Sequence, residues 1–416
     1  MKIWGLIIVG GGAAGFFTAI NLKEREPNLS VLILEKDKEL LKKVKISGGG
    51  RCNVTHACFE PKELVKFYPR GSKELLGPFH QFCTGDMMAW LDERGVPTKI
   101  EEDNRVFPES NESQTIIDCF LELASRYQVK ISTLSRVDKI EKLEHWRLVC
   151  GSQELECKNL VMASGSSPKV WDLIDRDLQH SIVPPVPSLF TFNCKDERIQ
   201  DLMGISVPHA RVKIINEKLQ AEGPLLITHW GLSGPAILRL SAWGALRLNA
   251  LQYHFKIEVN WLGLESLEEC KETLLEYKTL HSKKSVSKHC PYNLPKRLWE
   301  SFVAHALAGK EKNWADLNKQ ELQKLTSNLV ACVLEVRGKS TFKDEFVTAG
   351  GVALEEINFK SFSSKLHPNL YFAGEVLNID AITGGFNFQA AWTGAWLIAQ
   401  DLAANASANI EEESNY

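Results

Sequence analysis

Six residues near the start of the chain have the composition and spacing of a phosphate-binding turn. They are Gly10-Gly11-Gly12-Ala13-Ala14-Gly15, which match the pattern GxGxxG. In this pattern the first glycine permits a tight turn, the second lets backbone amides approach a pyrophosphate, and the third lets strand and helix pack closely. Glu35 follows Gly15 by twenty residues, where a carboxylate accepts ribose hydroxyl hydrogen bonds and repels a 2′-phosphate. The pattern predicts a dinucleotide site, and the alternative is a merely tight strand–helix turn.

A second glycine cluster follows Glu35. The segment Ser47-Gly48-Gly49-Gly50-Arg51-Cys52-Asn53 contains three consecutive glycines. Such a run is costly to order, which suggests backbone lying close to a ligand. Arg51 is then a candidate contact for a pyrophosphate or an anionic substrate. The alternative is a flexible surface loop.

A third cluster near the end of the chain distinguishes between cofactors. The apolar run Tyr371-Phe372-Ala373 leads into Gly374-Glu375, and Gly384-Gly385-Phe386-Asn387-Phe388-Gln389 opens the last helix. A strand that delivers an acid to a ribityl chain, and a helix whose positive end faces a flavin ring, suit FAD rather than NAD. Cys52 could then face the flavin. The alternative is that this strand and helix only complete the sheet, with the glycines forming a turn.

Other cofactor chemistries have weaker support. Cys52, His56 and Cys58 lack a fourth ligand at a usual zinc spacing, so we predict no metal. The ten cysteines include no CxxC pair, which indicates reduced thiols in a cytoplasmic protein and argues against a disulfide-reductase mechanism. The middle of the chain has no second GxGxxG motif. We therefore expect NAD(P)H to dock transiently at the flavin.

The elements that must position these residues form a parallel α/β pattern in the first half of the chain. Buried strands are predicted at residues 6–9, 31–34 and 160–163, a helix at 13–23, an amphipathic helix at 116–127 and antiparallel ribbons at 136–157. Further strands are predicted at 333–336 and 371–373, and a final helix at about 387–404, followed by a polar tail. The fold class is α/β, a discontinuous Rossmann-like domain with inserts.

The inserts begin where the character of the sequence changes. Pro184, Pro185 and Pro187 predict a linker, because proline stops helices and central strands. We predict an FAD-binding domain in two parts (1–188 and 346–416), a β-rich insert (189–263, with a return strand at 332–345) and a helical insert (264–331).

The overall composition fits a globular protein, with a formal charge of −3, 44% apolar and 24% charged residues. Residues 3–22 are uncharged, but glycines interrupt the run, so we do not predict a membrane helix. Positive charge is concentrated in residues 278–312. This stretch holds eight cations, Lys278, Lys283, Lys284, Lys288, Lys296, Arg297, Lys310 and Lys312, against Glu300 and Glu311. Tyr292 and Trp299 among them could stack on RNA bases. The alternative is a solvated lysine-rich helix face.

Five ordered motifs resemble those of one bacterial flavoprotein family. They are residues 10–15, 47–53, Thr228-His229-Trp230-Gly231-Leu232-Ser233-Gly234-Pro235, Thr348-Ala349-Gly350-Gly351-Val352, and 373–389. The family comprises NAD(P)/FAD-dependent oxidoreductases related to the bile-acid-inducible 3-dehydro-bile-acid reductase and the ribosomal RNA dihydrouridine synthase. The resemblance implies a discontinuous FAD domain, a β-barrel-like insert and a small helical domain. This sequence departs from the family at Ser164, Ser166 and His56.

The resemblance also implies a set of FAD contacts. They are Gly10, Gly12, Ala13, Ala14, Gly15, Glu35, Lys36, Ser47, Gly49, Arg51, Cys52, Val137, Ala163, Gly165, Gly374, Glu375, Gly385, Phe386, Asn387 and Gln389. Reducing a conjugated C=C bond also needs a proton donor, for which Cys52 and His229 are the candidates. Alternatively, Cys52 only shapes the backbone and His229 is a hydrogen-bonded turn residue.

The resemblance selects the reaction. We expect an enzyme that reduces a uridine of ribosomal RNA to dihydrouridine, with Lys283, Lys284, Lys288, Lys296 and Arg297 as candidate RNA contacts. Two alternatives remain open. One is an enone or 3-oxo reductase for a small apolar molecule, and the other is a non-catalytic flavin-bearing protein that binds RNA or senses redox state. The oligomeric state is not indicated.

Overall fold

The computed structural model describes residues 2–263, 265–340 and 347–414, with side chains described up to 407. Contacts divide the chain into two compact units. Unit 1 is Met1–Pro185 with Val347–Tyr416, and unit 2 is Val186–Phe346. The chain therefore leaves unit 1 once and returns to it. The finer division into barrel and helical domains stays a prediction.

The first part of unit 1 alternates strands and helices. Its strands are β1 (Ile3–Val9), β2 (Val31–Leu34), β3 (Thr55–His56), β4 (Thr98–Ile100), β5 (Arg105–Pro108), β6 (Lys130–Ser132), β7 (Lys139–Lys142), β8 (Trp146–Cys150), β9 (Gln153–Met162) and β10 (Ile182–Ser188), which runs past the unit boundary. Its helices are α1 (Ala13–Arg25), α2 (Lys42–Gly50), α3 (Pro61–Leu64), α4 (Ser72–Phe79), α5 (Thr84–Asp92), α6 (Ser113–Arg126) and α7 (Pro168–Leu178).

Unit 2 contains the strands β11 (Thr191–Cys194), β12 (Ser206–Ile214), β13 (Gln220–Ile227), β14 (Gly231–Ser233), β15 (His254–Asn260) and β16 (Cys332–Ser340). Its helices are α8 (Pro235–Trp243), α9 (Ala245–Ala250), α10 (Leu267–Leu280), α11 (Lys296–Ala306) and α12 (Lys319–Val330). The six strands close into an antiparallel barrel in the order β11-β14-β13-β12-β15-β16. Barrel and helices share one hydrophobic core.

The chain completes unit 1 with β17 (Val347–Val352), β18 (Ile357–Asn358), β19 (Ser363–Ser364), β20 (Leu370–Phe372) and the long helix α13 (Phe386–Ser414). The central sheet has nine strands, with β20, β9, β1, β2 and β6 running parallel in that order. In the register of the sheet, Val9 is paired with Leu34 on one side and with Met162 on the other, and Met162 is paired with Phe372. The carboxyl ends of four buried strands therefore meet at one edge, where α/β sheets bind their ligands.

The strands and helices expected from hydrophobic pattern are confirmed in position, although β9 begins already at Gln153 and α13 continues well past residue 404. β2 has the predicted bounds, and α1 extends two residues beyond its predicted end to Arg25. Two expectations were wrong. The proline-rich segment 184–187 lies in β10, which pairs with β17 in a two-stranded sheet, where each strand is an edge and tolerates proline. The tail after Asn405 continues as backbone helix to Ser414.

Candidate cofactor-binding site

The glycine-rich turn between β1 and α1 uses its glycines for two different purposes. A Cβ on Gly10 would stand 2.3 Å from the Ala163 carbonyl oxygen, and one on Gly15 would stand 2.0 Å from the Gly10 carbonyl oxygen. These two glycines let backbone segments touch. Gly12 differs, since no atom lies within 4 Å of its Cβ position. The free side of the turn is therefore at Gly12, at the beginning of α1.

The N-terminus of α1 is electrostatically suited to an anion. Gly12 caps the helix without a side-chain hydrogen bond, and the first turn contains no acidic residue. The first amides of a helix have no partner within the helix and carry partial positive charge. The turn thus offers backbone donors beside open space, as a pyrophosphate requires.

Glu35 stands where β2 ends and is held by the same turn. Its Oε2 accepts a hydrogen bond from the Gly11 amide at 2.8 Å, and its Oε1 accepts one from the Asp37 amide at 2.9 Å. A carboxylate has about four acceptor positions, so Glu35 keeps capacity for ribose hydroxyls. The predicted spacing from Gly15 therefore corresponds to a real contact between strand end and turn.

An open cleft of about 940 Å³ lies beside Glu35. Its size is within the range of about 300–1,000 Å³ that small-molecule sites occupy. Val137, the predicted adenine neighbour, is buried between the lining residues Arg136 and Asp138. The cleft is lined by Lys36, Asp37, Leu134, Ser135, Arg136, Asp138, Cys150, Gly151, Ser152, Gln153, Ser167, Pro168 and Lys169. Lys36 thus lies at the predicted nucleotide end of the site.

The third glycine cluster meets the first at the same sheet edge. A Cβ on Gly374 would stand 3.3 Å from the Ala14 Cβ, and one on Gly165 would be 3.9 Å from the Glu375 Oε2. Glu375 is paired with Lys43, which also donates to the Ser166 hydroxyl at 3.2 Å. Glu375, predicted to bind a ribityl chain, therefore lies at the strand ends with a cation beside it.

The second cluster forms a kinked, left-handed segment at the end of α2. Gly48, Gly49 and Gly50 have φ values of 58°, 69° and 86°, and a Cβ on Gly49 or Gly50 would meet open space. The Ser47 hydroxyl donates to the Val44 carbonyl at 2.9 Å. Glycine is thus required here by conformation, and Gly49 and Gly50 leave a free surface for a ligand.

Arg51 is committed to neighbours within the protein. Its guanidinium pairs with Glu101 at 2.6 Å and lies 4.0 Å from the centroid of the Phe107 ring. A contact from Arg51 to a pyrophosphate or substrate would compete with this pair, and it stays a prediction.

Cys52 lies in the interior. Its φ of 61° is in the left-handed region, its side chain has no exposed surface, and burial raises the pKa of its thiol to about 12. A thiol this weakly acidic stays protonated at neutral pH. This placement favours the alternative in which Cys52 shapes the backbone, and its role as proton donor stays a prediction.

The start of α13 is locked against β3. A Cβ on Gly385 would stand 2.6 Å from the Thr55 carbonyl carbon, and Thr55 donates to the Gln389 side chain at 2.6 Å. Gln389 and Phe386 have essentially no exposed surface, and the Asn387 amide group bonds both backbone polar groups of Ala381. The side chains of Phe386 and Gln389 therefore pack within the protein and hold the start of α13 in place, and a contact from either residue to a cofactor stays a prediction.

Sequence reasoning missed two ion pairs that fix this region. Lys43 pairs with Glu375, and the half-buried Arg70 holds both oxygens of the buried Asp380 in the loop before α13. The side chain of Asp380 is only 1% exposed. Both pairs join residues more than 300 positions apart, so no local signal could have found them.

In unit 2, His229 is exposed in the turn between β13 and β14. Lys283, Lys284 and Lys288 are exposed between α10 and α11, and Lys296 and Arg297 are exposed at the start of α11. The predicted base-stacking role of Trp299 is wrong, because it is 1% exposed and donates to the Val286 carbonyl at 2.8 Å. The Tyr292 hydroxyl is likewise tied to Glu265 at 2.8 Å.

The described residues contain neither a membrane-spanning helix nor a metal-binding cluster. No helix there is both long and apolar enough to cross a membrane. Nor do His, Cys, Asp or Glu side chains in the described part of the chain gather in a group of three that could hold a metal ion.

Fold and site together define a Rossmann-type dinucleotide-binding protein. Residues 5–401 match the sequence profile described as HI0933-like protein Rossmann domain. The chain belongs to this family.

Similar proteins support an enzymatic class. The chain is 29% identical to the ribosomal RNA dihydrouridine synthase of Escherichia coli (strain K12), over 98% of this chain and all of that one. It is 23% identical to the 3-dehydro-bile acid delta(4,6)-reductase of Clostridium scindens, over 95% and 98%. A quinol-fumarate reductase structure with menaquinol is similar in fold, at 13% identity and a TM-score of 0.50, over 98% of this chain and 72% of that one. The chain is therefore an oxidoreductase.

Proposed function

We propose that this protein is an FAD-dependent reductase that takes a hydride from NAD(P)H and reduces the C5=C6 bond of a uridine in ribosomal RNA. The observation that carries the dinucleotide assignment is the free space at Gly12, at the start of a helix without a side-chain cap where four strand ends meet, and Glu375 at the same edge supports FAD as that dinucleotide. The choice of acceptor is supported by the full-length similarity to the E. coli ribosomal RNA dihydrouridine synthase.

The residues present fit an FAD molecule. Backbone amides at the start of α1 would bind the pyrophosphate, Glu35 one ribose, the cleft beside Val137 the adenine, and Glu375 the ribityl chain. When bound, FAD supplies a site that accepts a hydride and passes it on. The protein contributes position and charge: the positive end of α13, locked by Thr55 and Gln389, favours negative charge in front of it.

An RNA substrate is supported by the charges of unit 2. Lys296 and Arg297 occupy the first turn of α11, where no acidic residue accompanies them and the helix dipole disfavours cations. Lys283, Lys284 and Lys288 stand exposed before that helix, and within the described residues none of their side-chain ammonium groups makes a hydrogen bond or ion pair. Phosphate binding would use the charges of these three lysines, whereas Lys296 lies 3.8 Å from Glu300 and Arg297 donates to the Asp201 carbonyl.

Two experiments test the proposal. Protein purified without added cofactor should be yellow, should release FAD on denaturation, and should bleach anaerobically with NADPH or NADH. Colourless protein that takes up no FAD on reconstitution would overturn the flavin assignment.

Deletion of the gene should remove dihydrouridine from one position of ribosomal RNA, as read by mass mapping, and the wild-type gene should restore it. An unchanged modification profile would overturn the RNA assignment and leave the small-molecule enone reductase as the alternative, testable by reoxidation of the reduced protein with a steroid enone.

A further inference from the structure

Trp230 is the most exposed of the chain's eleven tryptophans, all of which lie in the described residues. Six tryptophans are completely buried, whereas Trp230 is 62% exposed and Trp243, the next most exposed, 45%. Large aromatic rings bury readily because each removes substantial apolar area from water. An indole held in solvent by the fold is therefore a candidate contact surface.

The turn that carries Trp230 is firmly held. The Thr228 amide donates to the Gly231 carbonyl at 2.7 Å, and the Trp230 amide lies 3.3 Å from the Thr228 hydroxyl that accepts its hydrogen bond. The Trp230 carbonyl accepts from the Cys194 amide at 2.9 Å, which ties the turn to β11. A Cβ on Gly231 would stand 2.3 Å from the Phe192 carbonyl, so the glycine permits this close approach. A ring on such a turn loses little entropy on binding.

Charged residues of both signs follow β11 in the segment beside this turn, Lys195 and Arg198 against Asp196, Glu197 and Asp201. The exposed Lys195 directly follows Cys194, whose amide holds the Trp230 carbonyl. The Gly204 amide donates to the Ile227 carbonyl at 2.9 Å, which brings the segment 195–204 against the Trp230 turn. Arg297 donates to the Asp201 carbonyl in that segment. The start of α11 is thus linked through the segment 195–204 to the end of β13, which leads into the Trp230 turn.

Acids also line this surface, since Glu197 and Asp201 are exposed there. The exposed apolar area is small. Within the segment 195–204, all of which is described, Met203 is the one strongly exposed large apolar residue. A stable protein–protein interface needs roughly 1,000 Å² or more, mostly apolar at its centre. One aromatic ring with cations nearby instead has the composition of a platform for single-stranded nucleic acid.

We propose that Trp230 stacks on an unpaired base of the RNA substrate while Lys195, Lys296 and Arg297 meet the adjacent phosphates. This inference rests on the proposed function and names a residue that would contact the RNA substrate. It also replaces the stacking role that the sequence suggested for Trp299, which is buried.

The test compares Trp230→Ala, Trp230→Phe and the matched control Trp243→Ala in the full-length, flavin-loaded protein. Binding is followed by fluorescence anisotropy of a labelled 12-nucleotide single-stranded RNA and of the same strand annealed into a duplex. Loss of one base–aromatic stack should weaken single-strand binding by about 5- to 150-fold in Trp230→Ala. Trp230→Phe should retain most of the affinity, and Trp243→Ala all of it. Duplex binding should not change, because its bases are already stacked.

Several outcomes would overturn the inference. Equal affinity of Trp230→Ala and wild type would remove the stacking role while leaving the RNA proposal intact. An equal loss on the duplex would show a contact that does not involve an unpaired base. A change in sedimentation of Trp230→Ala relative to wild type would show that the indole mediates self-association. If the wild type binds neither probe and ribosomal RNA modification is unchanged by gene deletion, the proposed function fails first.

Discussion

Substitutions of Gly10, Gly12 and Gly15 in the turn before α1 provide a test of the candidate site. Gly12 has an extended backbone, with φ of −96° and ψ of −168°, which any residue adopts, and open space at its Cβ position. Gly10 and Gly15 have backbone carbonyl oxygens 2.3 Å and 2.0 Å from theirs. The same Gly→Ala change should therefore affect the ligand at one position and the fold at the other two.

The substitutions should change different quantities, the FAD affinity in Gly12→Ala and the free energy of unfolding in Gly10→Ala. Gly12→Ala should change the free energy of unfolding of the apoprotein by at most about 1 kcal/mol, the usual difference between helix-capping residues. Its methyl group would displace a pyrophosphate from the helix amides, and each charge-assisted hydrogen bond lost costs about 1.5–3 kcal/mol. The Kd for FAD should then rise about 10- to 150-fold. Gly10→Ala has both overpacking and a φ of 123°, which together should cost about 2–6 kcal/mol of stability.

The assay has two readouts. Apoprotein is titrated with FAD, whose fluorescence reports binding, and unfolding in urea is followed by circular dichroism. Gly77→Ala, whose Cβ likewise meets nothing within 4 Å, serves as the control: it should leave the FAD affinity unchanged and, because Gly77 lies within α4, raise the free energy of unfolding by at most about 1 kcal/mol. Undiminished FAD affinity in Gly12→Ala would refute the assignment of the open space to a pyrophosphate. A strongly destabilised Gly12→Ala apoprotein would refute the claim that the space is free.

Three other changes have definite expected results. Asp380→Asn removes one partner of a buried ion pair and should destabilise unit 1 by about 3–5 kcal/mol in urea unfolding; a loss below about 1 kcal/mol would contradict this. Burial lowers the pKa of His180, although Glu356 opposes the shift. As the pH drops below about 6.5, the unfolded chain therefore binds a proton at this histidine more readily than the folded protein does, and the free energy of unfolding should decrease. The Tm of His180→Gln should lose that part of its pH dependence, and an identical profile would exclude His180. Replacing Lys283, Lys284 and Lys288 by Glu should weaken RNA binding and lower its salt slope by about 2, with flavin content unchanged; an unaltered slope would show a merely solvated face.

Local sequence patterns predicted the elements that carry the site. Four-residue apolar runs give buried strands wherever both faces are covered, so β2 could be placed to the residue. The glycine spacing before α1 predicted a turn in which Gly10 and Gly15 permit close backbone contacts and Gly12 leaves space. The turn and the contact of Gly15 with Gly10 depend on bond geometry within a few residues, so the sequence determined them by itself, whereas the partner of Gly10 is the Ala163 carbonyl, which the end of β9 brings there.

Other features were decided only by tertiary structure. The burial of Trp299 and Gln389 depends on which elements pack over them, and both residue types also occur at surfaces. The Lys43–Glu375 pair forms because β20 lies beside β9, which brings residues 332 positions apart to one sheet edge. Trp230 is exposed because the pairing of β11 with β14 in the barrel fixes the turn that carries it, through the hydrogen bond from the Cys194 amide to the Trp230 carbonyl. Local pattern fixes dihedral preference and polarity, whereas packing across distant segments determines which side chains remain free to meet a ligand.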